Sequence, residues 1–208
     1  MENIYFNIFL YVIIVASAVF HEYAHAWTAE HLGDSTAKDE GRLTLNPIKH
    51  IDPFGTVILP LLLLFTSGIF LGWAKPVPYN PLNLKDQKYG SLKVGIAGPL
   101  SNLIIAFVLG IIFRFSGYFI SSGVLPEIFF QLLGIIIYIN IFLALFNLLP
   151  IPPLDGSKIF ADLFPKQWRS FERVGFYGII IALFIAFFIL PPIANFVFWA
   201  ITGRGFGF

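Results

Sequence analysis

Residues 4–27 read IYFNIFLYVIIVASAVFHEYAHAW, an apolar run with two histidines and a glutamate near its far end. About 20 apolar residues suffice for an α-helix to cross the hydrocarbon core of a bilayer. Comparable runs follow at 91–113, 128–151 and 174–202. The whole chain agrees: of 208 residues, 57% are hydrophobic and 12% charged, with a mean hydropathy of +0.81. Soluble domains carry about 25% charged residues, so a soluble globular protein is excluded. Thirteen basic against 12 acidic residues leave a net charge of +1 and no long basic run, which argues against a nucleic-acid partner. The reading is an all-α polytopic membrane protein whose first partner is the lipid bilayer. Neither a repeat nor a linker divides it, so residues 1–208 are expected to form a single domain.

A further run is interrupted. The run at 54–74 lies in PFGTVILPLLLLFTSGIFLGW, residues 53–73, and Ala74; it is broken by Pro60, Gly68 and Gly72, and KPVPYNP, residues 75–81, follows. Lys and Arg in short loops favour the cytoplasmic side. If residues 54–74 dip and return, eleven of the thirteen Lys and Arg fall on one side, leaving Arg114 and Arg204 opposite. A full crossing gives only eight against five. The expected fold is therefore four to six transmembrane helices with a re-entrant or short β segment near residues 54–81, the N-terminus outside and the large polar loops cytoplasmic. Pro191 and Pro192 should kink or split the last run. The N-terminal run exceeds the usual signal-peptide core of about 7 to 15 residues, and Glu2 stands where a positive region belongs. It is read as a retained span.

The chemistry lies in His21-Glu22-Tyr23-Ala24-His25. Positions i and i+4 of a helix share a face, so both imidazoles can reach one metal with the carboxylate beside them. Ionisable groups within a bilayer are costly, and three within five residues call for a shared partner. The chain has no cysteine, so any metal must be held by nitrogen and oxygen, and neither a disulfide nor a thiol nucleophile is available. Zinc accepts such ligands and keeps a position open for water in catalytic sites; Glu22 would then take that water's proton. A third ligand is required, and His31, His50 and carboxylates near other span ends are candidates. Asp155 stands out in NLLPIPPLDG, residues 147–156, where prolines end a helix and an acid follows. A lone acid after a span can equally just mark the interface.

These residues resemble the site-2 proteases, the family of intramembrane zinc metalloproteases. The likeness rests on three motifs in order: His21-Glu22-x-x-His25, Gly98-Pro99-Leu100-Ser101-Asn102, and Asn147 through Asp155-Gly156. The resemblance implies one Zn2+ per chain held by His21, His25 and Asp155, with Glu22 as general base. It further implies that Asn102 and Asn147 bind the substrate backbone or the developing oxyanion. Read without the family, an amide inside a span often bonds only a neighbouring helix, the reading preferred for Asn140 and Gln131. The resemblance also implies parallel spans, since His21 and His25 lie near the end of one run and Asp155 just beyond another. That parity agrees with a re-entrant 54–74.

The expected activity is that of a zinc metalloendopeptidase cutting peptide bonds in or near transmembrane segments of membrane-protein substrates. The chain is read as a short form without an extra soluble domain, multi-pass in the cell membrane and capable of homo-oligomers. GWAKPVPYNP, residues 72–81, could offer an extended edge to an unwound substrate strand. His50 is read as a loop histidine at the interface. The rival readings are a catalytically idle relative that binds or chaperones membrane proteins, and a metal transporter. Intact Glu22 opposes the first. The clustering of two ligands and a base in one helical turn opposes the second, because a metal path spreads its ligands over several depths.

Overall fold

The structure is a computed structural model, and it describes residues 2–67, 72–115, 126–171 and 176–207. Two compact units divide the chain, residues 1–98 and 99–208.

The first unit begins with α1, Glu2–His31. At about 1.5 Å per residue its 30 residues extend about 45 Å, more than a bilayer's core of about 30 Å. Ile4, Tyr5, Ile8 and Val12 are exposed along it, as lipid-facing side chains would be. Gly33 ends α1 with φ +108°. The Gly33 N–H donates to Glu30 O at 3.0 Å and the Asp34 N–H to Ala29 O at 2.9 Å, the paired bonds of a Schellman cap that needs a residue tolerant of positive φ. Asp34 then turns inward, fully buried. Its carboxylate accepts from the Thr36 hydroxyl at 2.6 Å, the Asn80 N–H at 2.7 Å and the Asn83 amide at 2.9 Å. The short α2, Thr36–Asp39, follows.

The interrupted run does come back on itself. Asp52 accepts the Gly55 N–H at 2.6 Å and starts a wide turn over Pro53–Ile58, which leads into α3, Leu59–Ser67. Its apolar helix, Pro53–Leu63, is too short to cross a membrane. The chain returns to where it left: the Trp73 N–H donates to Gly55 O at 3.1 Å, and the Thr56 hydroxyl donates to Trp73 O at 2.8 Å. A Cβ on Gly55 would lie 2.2 Å from the Trp73 indole, so this closure requires glycine. Residues 68–71 of the run lie outside the described residues. Of the two alternatives expected near residues 54–81, the described residues give the re-entrant one: residues 72–80 are extended, but no strand occurs among the described residues. Pro76, Pro78 and Pro81 remove the N–H groups that a ladder would need.

Helix α4, Gly90–Phe115, starts in the first unit and continues into the second. The second unit adds α5, Glu127–Asn147, and two short helices, α6 at Asp155–Leu163 and α7 at Pro165–Phe171. It closes with α8, Phe176–Phe188, and α9, Leu190–Thr202. Its core joins Ala106 and Phe113 of α4, Phe130, Leu133, Ile137 and Ile141 of α5, and Ala194 and Phe198 of α9. Gly110 lets α4 approach α9, since a Cβ there would sit 2.4 Å from the Ile201 side chain. Helices α8 and α9 are bent by 51°. The prolines cause the break: Pro191 and Pro192 cannot donate into a continuing helix but fit the first turn of a new one. Residues 174 and 175 of that run are outside the described ones. Among the described residues three single helices, α1, α4 and α5, are long and apolar enough to span, and the bent pair, counted as one span, brings the number to four.

Candidate active site

In the first unit, α1 carries His21, Glu22 and His25 within one turn and a half. Both histidines are buried, at 6% exposed each, and Glu22 is half-buried. The two Nε2 atoms lie 3.0 Å apart, with the rings nearly perpendicular at 83°. Each position has a cause. Because a carbonyl can only accept, the 2.6 Å contact of His25 Nδ1 with Val94 O places the proton on Nδ1 and the lone pair on Nε2. That is the tautomer a metal takes, and a backbone carbonyl is a usual partner for the second nitrogen of a ligating histidine. Gly98 of α4 lies against both rings: a Cβ there would come 2.4 Å from His25 Nε2 and 2.5 Å from His21 Nε2.

The donor set fits zinc. Two tetrahedral ligand nitrogens, each about 2.0–2.1 Å from zinc, stand about 3.3 Å apart, and the Nε2 pair is already near that spacing. The two Nε2 atoms face each other in a buried place at the spacing that one shared cation would set.

Glu22 faces the extended segment. The Val77 N–H donates to Glu22 Oε2 at 2.7 Å. The sequence reading offered this segment as an edge for substrate; the structure instead turns the Val77 amide inward, to the candidate base. Around it, Arg42, buried at 5% exposed, donates to Lys75 O at 2.8 Å. The Lys75 N–H donates to His50 O at 2.9 Å. Nothing in the sequence motifs marks Val94 or Arg42, and Val77 entered only through the 72–81 stretch, as an edge for substrate. Gly98 was quoted only as part of a motif, and its function as clearance for two imidazoles is a finding of the structure.

The other histidines have local partners. His50, expected as a loop histidine at the interface, instead closes a short 3-10 turn at Pro47–His50, is 1% exposed, and donates from Nε2 to Thr44 O at 2.8 Å. His31 donates from Nδ1 to Trp27 O at 2.8 Å and stacks on that indole at 3.9 Å.

In the second unit, Asp155 opens α6 just after prolines 150, 152 and 153 have ended α5. It is buried at 6% exposed, with Lys158 Nζ 2.8 Å from its Oδ1. Gly156 lets this corner fold tightly, because a Cβ would fall 2.2 Å from Leu148 O. Asn102, fully buried, donates from Nδ2 to Asn140 Oδ1 at 2.8 Å, and Asn140 donates to Ile136 O at 2.9 Å. Asn147 donates to Leu143 O at 3.0 Å, one turn back in its own helix. The helix-to-helix bond expected of Asn140 is therefore present.

Outside the spans, the carboxylates of Asp34 and Asp86 are shifted. Burial works against the charged form of Asp34, but the Thr36, Asn83 and Asn80 donors outweigh it and hold the group below its ordinary range. Asp86 is pulled down to about 2, first by the Lys93 ammonium at 2.6 Å and then by the Tyr89 N–H.

Comparison with known proteins follows the same line. The profile described as Peptidase family M50 matches residues 119–191. YwhC of Bacillus subtilis (strain 168) is 40% identical over 201 residues, covering 95% of this chain and 87% of its own length. Rip2 of Mycolicibacterium smegmatis is 29% identical over 195 residues, covering 92% of this chain and 71% of its own. Both names designate zinc metalloproteases. Zinc metalloprotease MJ0392 of Methanocaldococcus jannaschii is 27% identical over 168 residues, 81% of this chain and 38% of its own. No solved structure matches. Buried histidines with facing Nε2 atoms, a glutamate beside them and this similarity agree on zinc as the cofactor and peptide hydrolysis as the activity. The chain belongs to peptidase family M50, the site-2 protease family of membrane-embedded zinc metalloendopeptidases.

Proposed function

We propose that this chain is an intramembrane protease, multi-pass in the cell membrane, that hydrolyses peptide bonds in or near transmembrane segments of membrane-protein substrates, as in regulated intramembrane proteolysis. Residues 1–208 act as one protease domain. The observation that carries the reading is the facing His21 and His25 Nε2 pair, 3.0 Å apart, with Glu22 in the same helical turn. His21 and His25 would hold zinc, and Asp155, a buried carboxylate at a proline-broken helix start, would be the third ligand. When bound, zinc supplies a Lewis acid that makes water acidic enough to lose a proton near neutral pH.

Glu22 accepts that proton as general base and later delivers it to the leaving amine. His25 is held in one tautomer by Val94, so its Nε2 stays a ligand atom through the cycle. Asn102 and Asn147 would donate to the substrate backbone or to the oxyanion, where oriented donors lower the barrier most. The low-dielectric surroundings of α1 strengthen each of these contacts. Substrate peptide bonds within a membrane helix are shielded by their own hydrogen bonds, so cleavage requires a locally unwound segment.

The test is zinc per chain on detergent-purified protein, beside cleavage of a membrane-peptide substrate. Glu22→Gln should keep zinc and lose about 10²- to 10⁴-fold in turnover. Asp155→Ala should lose the zinc. Wild-type protein without zinc, or zinc indifferent to Asp155→Ala, would overturn the site; near wild-type turnover by Glu22→Gln would overturn the base.

A further inference from the structure

The segment Trp73–Asn80 is tied to the first unit at alternate residues. Trp73 N–H bonds Gly55 O, Lys75 N–H bonds His50 O, and Val77 N–H bonds Glu22 Oε2. Trp73 O accepts from Thr56 and Lys75 O from Arg42. In extended backbone, the N–H and C=O of successive residues point to opposite sides. Residues 73, 75 and 77 thus direct their N–H groups inward, and Pro76 O also accepts from the Arg42 guanidinium, at 3.4 Å. On the other edge, Pro76 and Pro78 have no N–H to offer. The outer edge is consequently poor in donors and ill suited to adding a strand, while the inner edge ends on the candidate base.

We propose that the Val77 backbone amide is the positioning group for Glu22, a reading that rests on Glu22 being the general base. The amide is brought there by contacts that do not involve Glu22. Arg42 and His50 fix Lys75 two residues before it, and the buried Asp34 accepts the Asn80 N–H three residues after it. A glutamate side chain has three rotatable bonds, and an N–H held from both sides selects one orientation with no reorganisation during the reaction. Oε2 takes the amide, and Oε1 is the oxygen that receives the proton. Preorganised geometry of this kind acts on the chemical step, since small misplacements of a reacting group can cost about 100-fold.

The experiment replaces Val77 by its α-hydroxy acid, which turns the amide into an ester and deletes only the N–H. Val77→Pro deletes it by another route and keeps Pro76 O an amide oxygen. Val77→Ala retains it. Zinc per chain, kcat and KM are measured for each beside wild type and Glu22→Gln. The ester and Val77→Pro should keep zinc, keep KM within about twofold and lose about 10- to 100-fold in kcat, with Val77→Ala near wild type. An ester with wild-type kcat while Glu22→Gln is inactive would overturn the positioning role alone. A raised KM at unchanged kcat would assign Val77 to substrate pairing instead, and lost zinc in the ester would make the contact purely structural; both overturn the proposal. An active Glu22→Gln would overturn the general-base reading beneath it.

Discussion

His25 Nδ1 donates to the Val94 carbonyl at 2.6 Å, a bond between residues 69 positions apart that fixes which nitrogen of the ring is left for a metal. The same stretch of α4 brings Gly98 against that ring and its neighbour. Gly98→Ala would put a methyl group 2.4 Å from His25 Nε2 and 2.5 Å from His21 Nε2. Zinc affinity should fall about 10- to 100-fold, the usual effect of disturbing what orients a ligand. Chelator competition measures it. Gly110→Ala, which strains the packing of α4 on α9, should lower thermal stability and leave zinc affinity unchanged.

Asn140 offers a way to separate packing from catalysis. Hydrogen bonds between membrane helices average about 0.6 kcal/mol and reach about 1.7, so Asn140→Ala should cost no more than that in stability. If Asn102 meets the substrate, losing the 2.8 Å bond that aims it should lower kcat/KM by about 10-fold. A fall in activity no greater than the loss of folded protein would assign the pair to packing.

Asp34 anchors the return of the chain to the end of α1. Asp34→Ala would leave the Asn80 N–H and the Asn83 amide without their acceptor and should cost on the order of 3 kcal/mol. Its pKa in the folded protein lies below the unfolded value. The stabilisation is therefore present above the unfolded pKa of about 3.9 and fades as pH falls through the lower folded value. Unfolding melts of wild type and variant should converge toward strong acid and stay apart at neutral pH.

Asp86 should titrate at about 2. Lys93→Met removes the ammonium that lies 2.6 Å away and is the largest cause of that shift. The Asp86 pKa should then rise toward 3.8, as read from its carboxyl carbon signal by NMR. The depressed value means that Asp86 favours the folded state above the unfolded pKa and loses this effect as pH falls through about 2.

The spans, the break at Pro191 and the grouping of His21, Glu22 and His25 were legible in the sequence, because each follows from helical periodicity or from what proline cannot do. Charge bias also anticipated that residues 54–74 turn back, although only the structure gives the closure, with Trp73 bonded to Gly55 and Thr56. The tertiary structure alone decided the tautomer of His25, the clearance at Gly98 and the amide on Glu22. Val94 O is a backbone carbonyl that every residue possesses, and Val77 N–H an amide that every residue but proline possesses, so no side-chain pattern announces them. Their chemistry is general, and only the path of the folded chain brings them to His25 and Glu22.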